Sequence, residues 1–305
     1  MDRRRLLKLS TAFGSACFLP GFGAKTEAKT VSKSENTEVL SVSDGSLRLP
    51  PSFALPNMPK ADLEKVLGEV PDENTVIERP LNLTLLKTND RTVLFDVGSG
   101  ANFMPSAGKL NESLDAMNVA PEDVTDVVFT HGHPDHLWGI LDDFDEVWFP
   151  EAQLHFPKIE FDFWLNEGTI DTMPEERKVF AVGAKNRLEA ISDQVNLFND
   201  GAEVVSGVEA MSTYGHTPGH TSFVIHAADE PVMVIGDALT HDILSFQKPE
   251  WPAGGDQDRD MAAATRKKLL DRLAHEQMQL VGYHLTDNGI GRVESFGTAY
   301  RFIPS

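Results

Sequence analysis

Short apolar runs, each ended by a polar or glycine-containing turn, recur along the chain and predict strands. Residues 81–87 and Thr92-Val93-Leu94-Phe95 flank Thr88-Asn89-Asp90-Arg91 and predict a hairpin. Asp126-Val127-Val128-Phe129, Val232-Met233-Val234-Ile235 and Leu280-Val281 predict buried strands, and Val224 and Ile225 lie in a strand-like run that includes His226. Between these runs, Leu110, Leu114 and Met117 stand at helical spacing within residues 109–117, and helices are also predicted over 61–67 and 261–273. Strands that alternate with helices in this way imply a layered α/β fold. Residues 25–49 are rich in Lys, Ser and Glu and predict a polar linker or arm, after which Pro50-Pro51, Pro56 and Pro59 punctuate a wrapping segment. No internal repeat is found and no boundary after residue 50, so residues 50–305 are taken as one domain. A chain of 305 residues is long enough to bury most of its apolar surface in a single core.

The amino terminus carries a separate message. Asp2-Arg3-Arg4-Arg5-Leu6-Leu7-Lys8 matches the twin-arginine export signature, and the apolar run that follows is shorter than the ~20 residues that span a bilayer. Residues 1–24 therefore predict a removable signal, no transmembrane span, and a periplasmic or secreted protein. Gly14-Ser15-Ala16-Cys17 resembles a lipobox, although Gly14 stands where leucine is usual, so anchoring at Cys17 is the weaker reading. Cys17 is the only cysteine, so a disulfide within the chain is excluded and stability must come from the core and any bound metal.

The polar residues that end the apolar runs suggest chemistry. Thr130-His131-Gly132-His133-Pro134-Asp135-His136 packs three imidazoles and a carboxylate into one strand end. Asp96, His216, Asp237 and His284 stand at the ends of other runs. Imidazole and carboxylate donors suit zinc, manganese, iron or cobalt, whereas a thiolate site would need cysteines. The net charge is −20, and Arg3, Arg4, Arg5 and Lys8 outnumber Asp2 in the signal, so the rest of the chain is more acidic still. Such a surface repels nucleic acid and disfavours strongly anionic substrates, objections that a small neutral substrate escapes.

In order and spacing these motifs resemble the metallo-β-lactamase-fold superfamily over roughly residues 75–300. Gly215-His216-Thr217-Pro218-Gly219-His220-Thr221, Gly236-Asp237-Ala238-Leu239 and the 261–273 helix followed by His284 resemble its methyl parathion hydrolase and quorum-quenching lactonase branch. The resemblance implies an αββα sandwich with a binuclear site at one edge and two divalent metal ions, zinc first, with manganese, iron or cobalt as alternatives. It assigns His131, His133 and His216 to one metal, Asp135, His136 and His284 to the other, and Asp237 as a bridge. Asp135 and Asp237 would serve catalysis by holding the metals whose hydroxide is the nucleophile. Asp96 would orient ligands by hydrogen bonds, satisfy the Gly98-Ser99-Gly100 turn, or do both. The implied activity is hydrolysis of lactones, aryl esters or phosphotriesters. The alternatives are a β-lactamase, a glyoxalase-II-like thioesterase, or a mononuclear iron oxidoreductase of the persulfide dioxygenase type. Homodimers are common in this branch.

The remaining histidines, His155, His220, His226, His241 and His275, read as surface or hydrogen-bonded structural residues, with His220 bracing the Thr217-Pro218-Gly219 turn. His241, close after Asp237, is a candidate for the substrate pocket. Residues 151–200 predict an insertion over the site, and Phe103 and Trp164 are the aromatics chosen for its apolar wall. Tyr214 and Tyr283 are candidates only through their position beside His216 and His284.

Overall fold

The computed structural model describes residues 28–55, 58–226 and 230–305. The export signature and Cys17 lie outside them. The first sheet holds seven strands in chain order: β1 Lys29–Lys33, β2 Thr37–Leu49, β3 Ile77–Thr88, β4 Thr92–Phe95, β5 Asp126–Val128, β6 Gln153–Pro157 and β7 Val195–Phe198. Pairing is antiparallel from β1 to β4 and parallel from β4 to β7. The second sheet holds β8 Glu203–Val205, β9 Val208–Ser212, β10 Thr221–Ile225, β11 Val232–Val234, β12 Gln279–Val281, β13 Ile290–Phe296 and β14 Ala299–Pro304. They run in reverse order across the sheet, and β11 with β12 is its one parallel pair.

Burial of both faces of each sheet explains the unbroken apolar runs. Val93 and Phe95 of β4, with Val128, meet Phe223, Ile225 and Val281 between the sheets. Leu94 and Val127 point the other way, towards Leu110, Leu114 and Leu188 of the helices on the first sheet. Val224, Met233 and Leu280 likewise turn outwards onto Leu269, Leu270 and Leu273 of the helix Arg259–Glu276. The result is helix, sheet, sheet, helix, the expected αββα sandwich. The helices expected over 61–67, 109–117 and 261–273 form as Lys60–Leu67, Leu110–Ala116 and Arg259–Glu276. No helix among the described residues is long and apolar enough to cross a membrane.

Two boundaries differ from expectation. The polar arm placed at 25–49 becomes β1 and β2, and β2 pairs with β3 from Thr37↔Thr88 to Leu49↔Ile77. Its polar residues concealed the strand because several are buried and bonded. The Ser41 hydroxyl donates to the Asn288 carbonyl, while Val39 and Val42 are fully buried. Asp44 accepts from the backbone N–H of Ser99 and Leu110 and from the Ser99 hydroxyl, so it secures the Gly98-Ser99-Gly100 turn that Asp96 was expected to serve. The stretch 151–200 is also more than an insertion. Its ends are β6 and β7 of the first sheet, and only the helices Lys158–Leu165, Thr169–Thr172 and Lys178–Ile191 form a cover.

Candidate metal centre

The parallel pairs β4–β5 and β11–β12 aim their carboxyl ends at one edge of the sandwich, and the polar residues of the sequence motifs follow those ends. Asp96 follows β4, the His131–His136 loop follows β5, Asp237 follows β11 and His284 follows β12. His216 arrives from the turn between β9 and β10. Loops after parallel strands converge in this way because successive strands point in one direction.

Two groups of donors result: His131, His133, His216 and Asp237, and Asp135, His136 and His284. Within each group one donor atom per residue lies within 4.8 Å of all the others. Asp237 stands between them, with Oδ1 3.2 Å from His136 Nε2, and Oδ2 3.2 Å from His284 Nε2 and 3.3 Å from His216 Nε2. His133 Nδ1 lies 3.0 Å from His131 Nε2 and 2.9 Å from His216 Nε2. A neutral imidazole has a single N–H, so three ring nitrogens this close cannot all be satisfied by one another. Asp135 Oδ2, His136 Nε2 and Asp237 Oδ1 are buried with no hydrogen-bond partner. Converging lone pairs and unpartnered buried oxygens on imidazole and carboxylate donors fit two divalent cations.

The outer ring nitrogens set the tautomers. Asp96, whose own φ is +62°, accepts from His136 Nδ1 at 2.8 Å and from the Thr130 hydroxyl and N–H, both at 2.8 Å. Having given its proton to Asp96, the Thr130 hydroxyl accepts from His131 Nδ1 at 2.9 Å. One carboxylate thus orients a histidine of each group and leaves both Nε2 atoms facing inwards. His284 Nδ1 donates to the Pro80 carbonyl, and His216 Nδ1 faces Asp256 at 3.3 Å. The Asp96→Asn variant is expected to need about 10–100-fold more free metal for half-maximal activity, because the amide presents an N–H to groups that themselves donate. An activity titration against buffered zinc measures this, and an unchanged midpoint would remove Asp96 from the positioning role.

Burial, joined by the neighbouring charge of His136, holds His131 well below the usual imidazole range. Burial and His216 do the same to His133. For His216 burial opposes the charge but is outweighed by Asp237 and Asp256, which lift it to about 9. Burial also acts against the Asp237 carboxylate, and the surrounding His284 and His136 overcome it and keep it ionised.

Several functional neighbours escaped sequence reasoning. Asp256 is buried behind His216 and tied by Arg266 Nη1 at 2.9 Å and the Ala253 N–H, while Arg266 also donates to the Pro249 and Trp251 carbonyls. Nothing in the local pattern marked them, because Arg266 stands among charged residues of its helix and its burial shows only in the structure. His220 is structural as expected, but beyond its own turn its Nε2 accepts from the Asp237 N–H at 2.9 Å, while Nδ1 donates to the Thr213 hydroxyl. Burial followed by the charge of His216 lowers it to about 3, so it remains neutral. His155 is buried against Asp126, and His226 lies exposed beside Glu209 just past β10. Tyr283 stacks on His136 at 3.8 Å and donates to the Asp135 carbonyl, which makes it a wall of the centre.

His133, Asp135, His216, Asp237 and His284 line one end of a cavity of about 270 Å³ whose other walls include Leu47, Leu49, Phe53, Phe103, Met104 and Phe180. Phe103, expected in an apolar wall, lines this cavity. Trp164 is not in this wall. Its indole is buried and donates to Glu160, and it lines a neighbouring cavity of about 640 Å³. His241 is also absent from the wall, because its Nδ1 turns back to accept from the Ile243 N–H beside a separate small cleft. Leu47 and Leu49 belong to β2, so the segment expected to be an arm builds the apolar side of the cavity.

A family model described as the metallo-beta-lactamase superfamily matches residues 76–273. Among curated proteins, the probable metallo-hydrolase YqgX of Bacillus subtilis (strain 168) is 24% identical over 213 residues, 69% of this chain and 84% of that protein. Two solved structures are similar over nearly their whole length. AidC, described as a dizinc quorum-quenching lactonase in complex with a product, has a TM-score of 0.84 and 29% identity, covering 92% of this chain and 97% of its own. AbOPH, described as a hydrolase in the beta lactamase superfamily, has a TM-score of 0.82 and 25% identity, covering 91% and 97%.

Proposed function

The chain belongs to the metallo-beta-lactamase superfamily and is a metal-dependent hydrolase, and from that premise we propose that it cleaves lactones, with aryl esters and phosphotriesters as related neutral substrates. The observation that carries this reading is the pair of donor groups, joined by Asp237, at the end of an apolar cavity of about 270 Å³. That volume and lining suit a small ester with an apolar substituent better than a charged polymer. The structural similarity to AidC supports lactones as the first choice.

His131, His133 and His216 would hold one cation, Asp135, His136 and His284 the other, and Asp237 both. When bound, two divalent cations supply Lewis acidity, acidifying water and polarising the oxygen of the scissile group. The chain supplies the rest. Thr130, Asp96, Asp256 and Pro80 occupy the outer nitrogens of His131, His136, His216 and His284, so each of these rings would turn its Nε2 to a cation. Leu47, Leu49, Phe103 and Phe180 exclude water and seat the acyl or aryl group. Arg79 and Arg177 also line the cavity, Arg79 donating to the Thr240 and Ala54 carbonyls and Arg177 to the Gly254 carbonyl, which fixes both side chains in its wall. Export by the twin-arginine route to a periplasmic or extracellular site is part of the proposal and rests on residues 2–8 alone.

Metal content by mass spectrometry, with hydrolysis of an acyl-homoserine lactone, an aryl acetate, a methyl phosphotriester and a penicillin, tests the reading. Two metals per chain and turnover led by the lactone, abolished in His133→Ala, are the expected results. One iron per chain with no hydrolysis would replace the hydrolase by an oxidoreductase, and turnover led by the penicillin would replace the lactonase by a β-lactamase.

A further inference from the structure

Glu160 is fully buried next to the donor groups but belongs to neither. It lies on the helix Lys158–Leu165, in a stretch where the sequence drew attention only to aromatics. Its Oε1 accepts from the Gly132 N–H at 3.0 Å and the Trp164 indole N–H at 2.6 Å. Its Oε2 accepts from the Thr217 hydroxyl and the Gly219 N–H, both at 2.8 Å. Gly132 separates His131 from His133, and Thr217 follows His216 directly. One carboxylate therefore spans, with an oxygen on each, the two loops that carry the three histidines of a single donor group.

The four donors are uncharged and point at the carboxylate from two sides. An ionised carboxylate is acceptor-only and satisfies all four, whereas an amide of the same size must turn its NH2 towards one pair. Burying a carboxylate without a cation is costly, and these four hydrogen bonds offset part of that cost. The glycines show that the approach is built in. Neither Gly132 nor Gly219 has a positive φ, so backbone conformation does not require them. A Cβ at Gly132 would collide with the Trp164 indole nitrogen, and one at Gly219 with the backbone nitrogen of Glu160. Each glycine makes room for this helix. Trp164, in turn, sets its ring edge-on to His133, with centroids 5.9 Å apart.

We infer that Glu160 is a positioning residue that fixes the spacing of the 131–133 loop from the 216–219 loop, and so shapes the three-histidine group for its cation. The inference rests on the two-cation reading of the centre. It assigns the residue an effect on one group only, since Asp135, His136 and His284 make no contact with it through these bonds. A residue that merely stabilised the fold would act on both.

The test titrates zinc alone into metal-free protein in competition with a chromophoric chelator, for the unaltered chain, Glu160→Gln and Trp164→Phe, with unfolding midpoints measured on the same samples. Two zinc ions on the unaltered chain are the premise, and their absence would overturn the two-cation reading itself. In Glu160→Gln one zinc is expected to keep its affinity while the other weakens by about 10–100-fold. Trp164→Phe removes one donor and leaves a smaller aromatic ring, and is expected to weaken the same step by several-fold. If Glu160→Gln does not fold, Trp164→Phe decides: a selective loss supports the inference and unchanged binding overturns it. Unchanged zinc affinities in folded Glu160→Gln, or equal losses at both steps, would also overturn it.

Discussion

Asp237→Asn is expected to lose about 10³-fold in kcat under saturating zinc, and to hold fewer than two zinc ions per chain. The side chain keeps its size and its backbone N–H keeps the bond to His220, so the fold should persist. What disappears is the negative charge that lies within 3.3 Å of His136, His216 and His284 at once. Two dications in a buried site repel strongly, and an anion between them offsets that repulsion and sets their separation. Losing several kcal/mol of charge stabilisation corresponds to about three decades in rate. Stopped-flow or steady-state turnover with metal analysis of the same sample measures it. Full turnover with two metals would take Asp237 out of the centre.

Removal of metal by a chelator is expected to lower the thermal midpoint by about 10 °C at neutral pH. A ligand present at a thousand times its dissociation constant stabilises the folded state by about 4 kcal/mol, and a chain of this size shifts by roughly 2–4 °C per kcal/mol. The loss should also depend on pH in a definite direction. In the metal-free protein His216 is lifted to about 9 by Asp237 and Asp256 against the cost of burial. Its unfolded value is near the ordinary 6.5, so protonation stabilises the metal-free fold fully below 6.5, and that contribution fades as pH rises to about 9. The metal-loaded protein needs His216 neutral and gains nothing from this proton. The gap between loaded and stripped midpoints should therefore widen from pH 6.5 to pH 9. Scanning fluorimetry at both pH values checks it, and a constant or narrowing gap would show that His216 is not protonated in the stripped protein.

Most of the donor set was legible in the sequence because Asp237, His284 and the His131–His136 loop follow apolar runs, whereas His216 comes from the turn between β9 and β10. A residue at the carboxyl end of a parallel strand has its location decided by that strand, so pattern and chemistry coincide at Asp96, His131, Asp237 and His284. Trp164 and His241, read as pocket residues, lie outside the 270 Å³ cavity for a common reason. Residue type announces a pocket-forming or proton-binding side chain but not its direction, and here one bonds Glu160 and the other its own turn. The β2 strand was missed because Ser41 and Asp44 look solvated in the sequence and are in fact buried with partners more than fifty residues away.

Periodicity and spacing by themselves determined the α/β class, most strands and helices, and a set of His and Asp residues at the ends of apolar runs as candidate donors, because these depend on neighbours a few positions apart. Only the tertiary structure decided that Asp96 orients a histidine of each group, that Asp256 and Glu160 brace the loops, and that β2 walls the cavity. Those facts arise from contacts between distant segments, where hydrogen-bond direction and close packing select one arrangement among many that the local pattern allows.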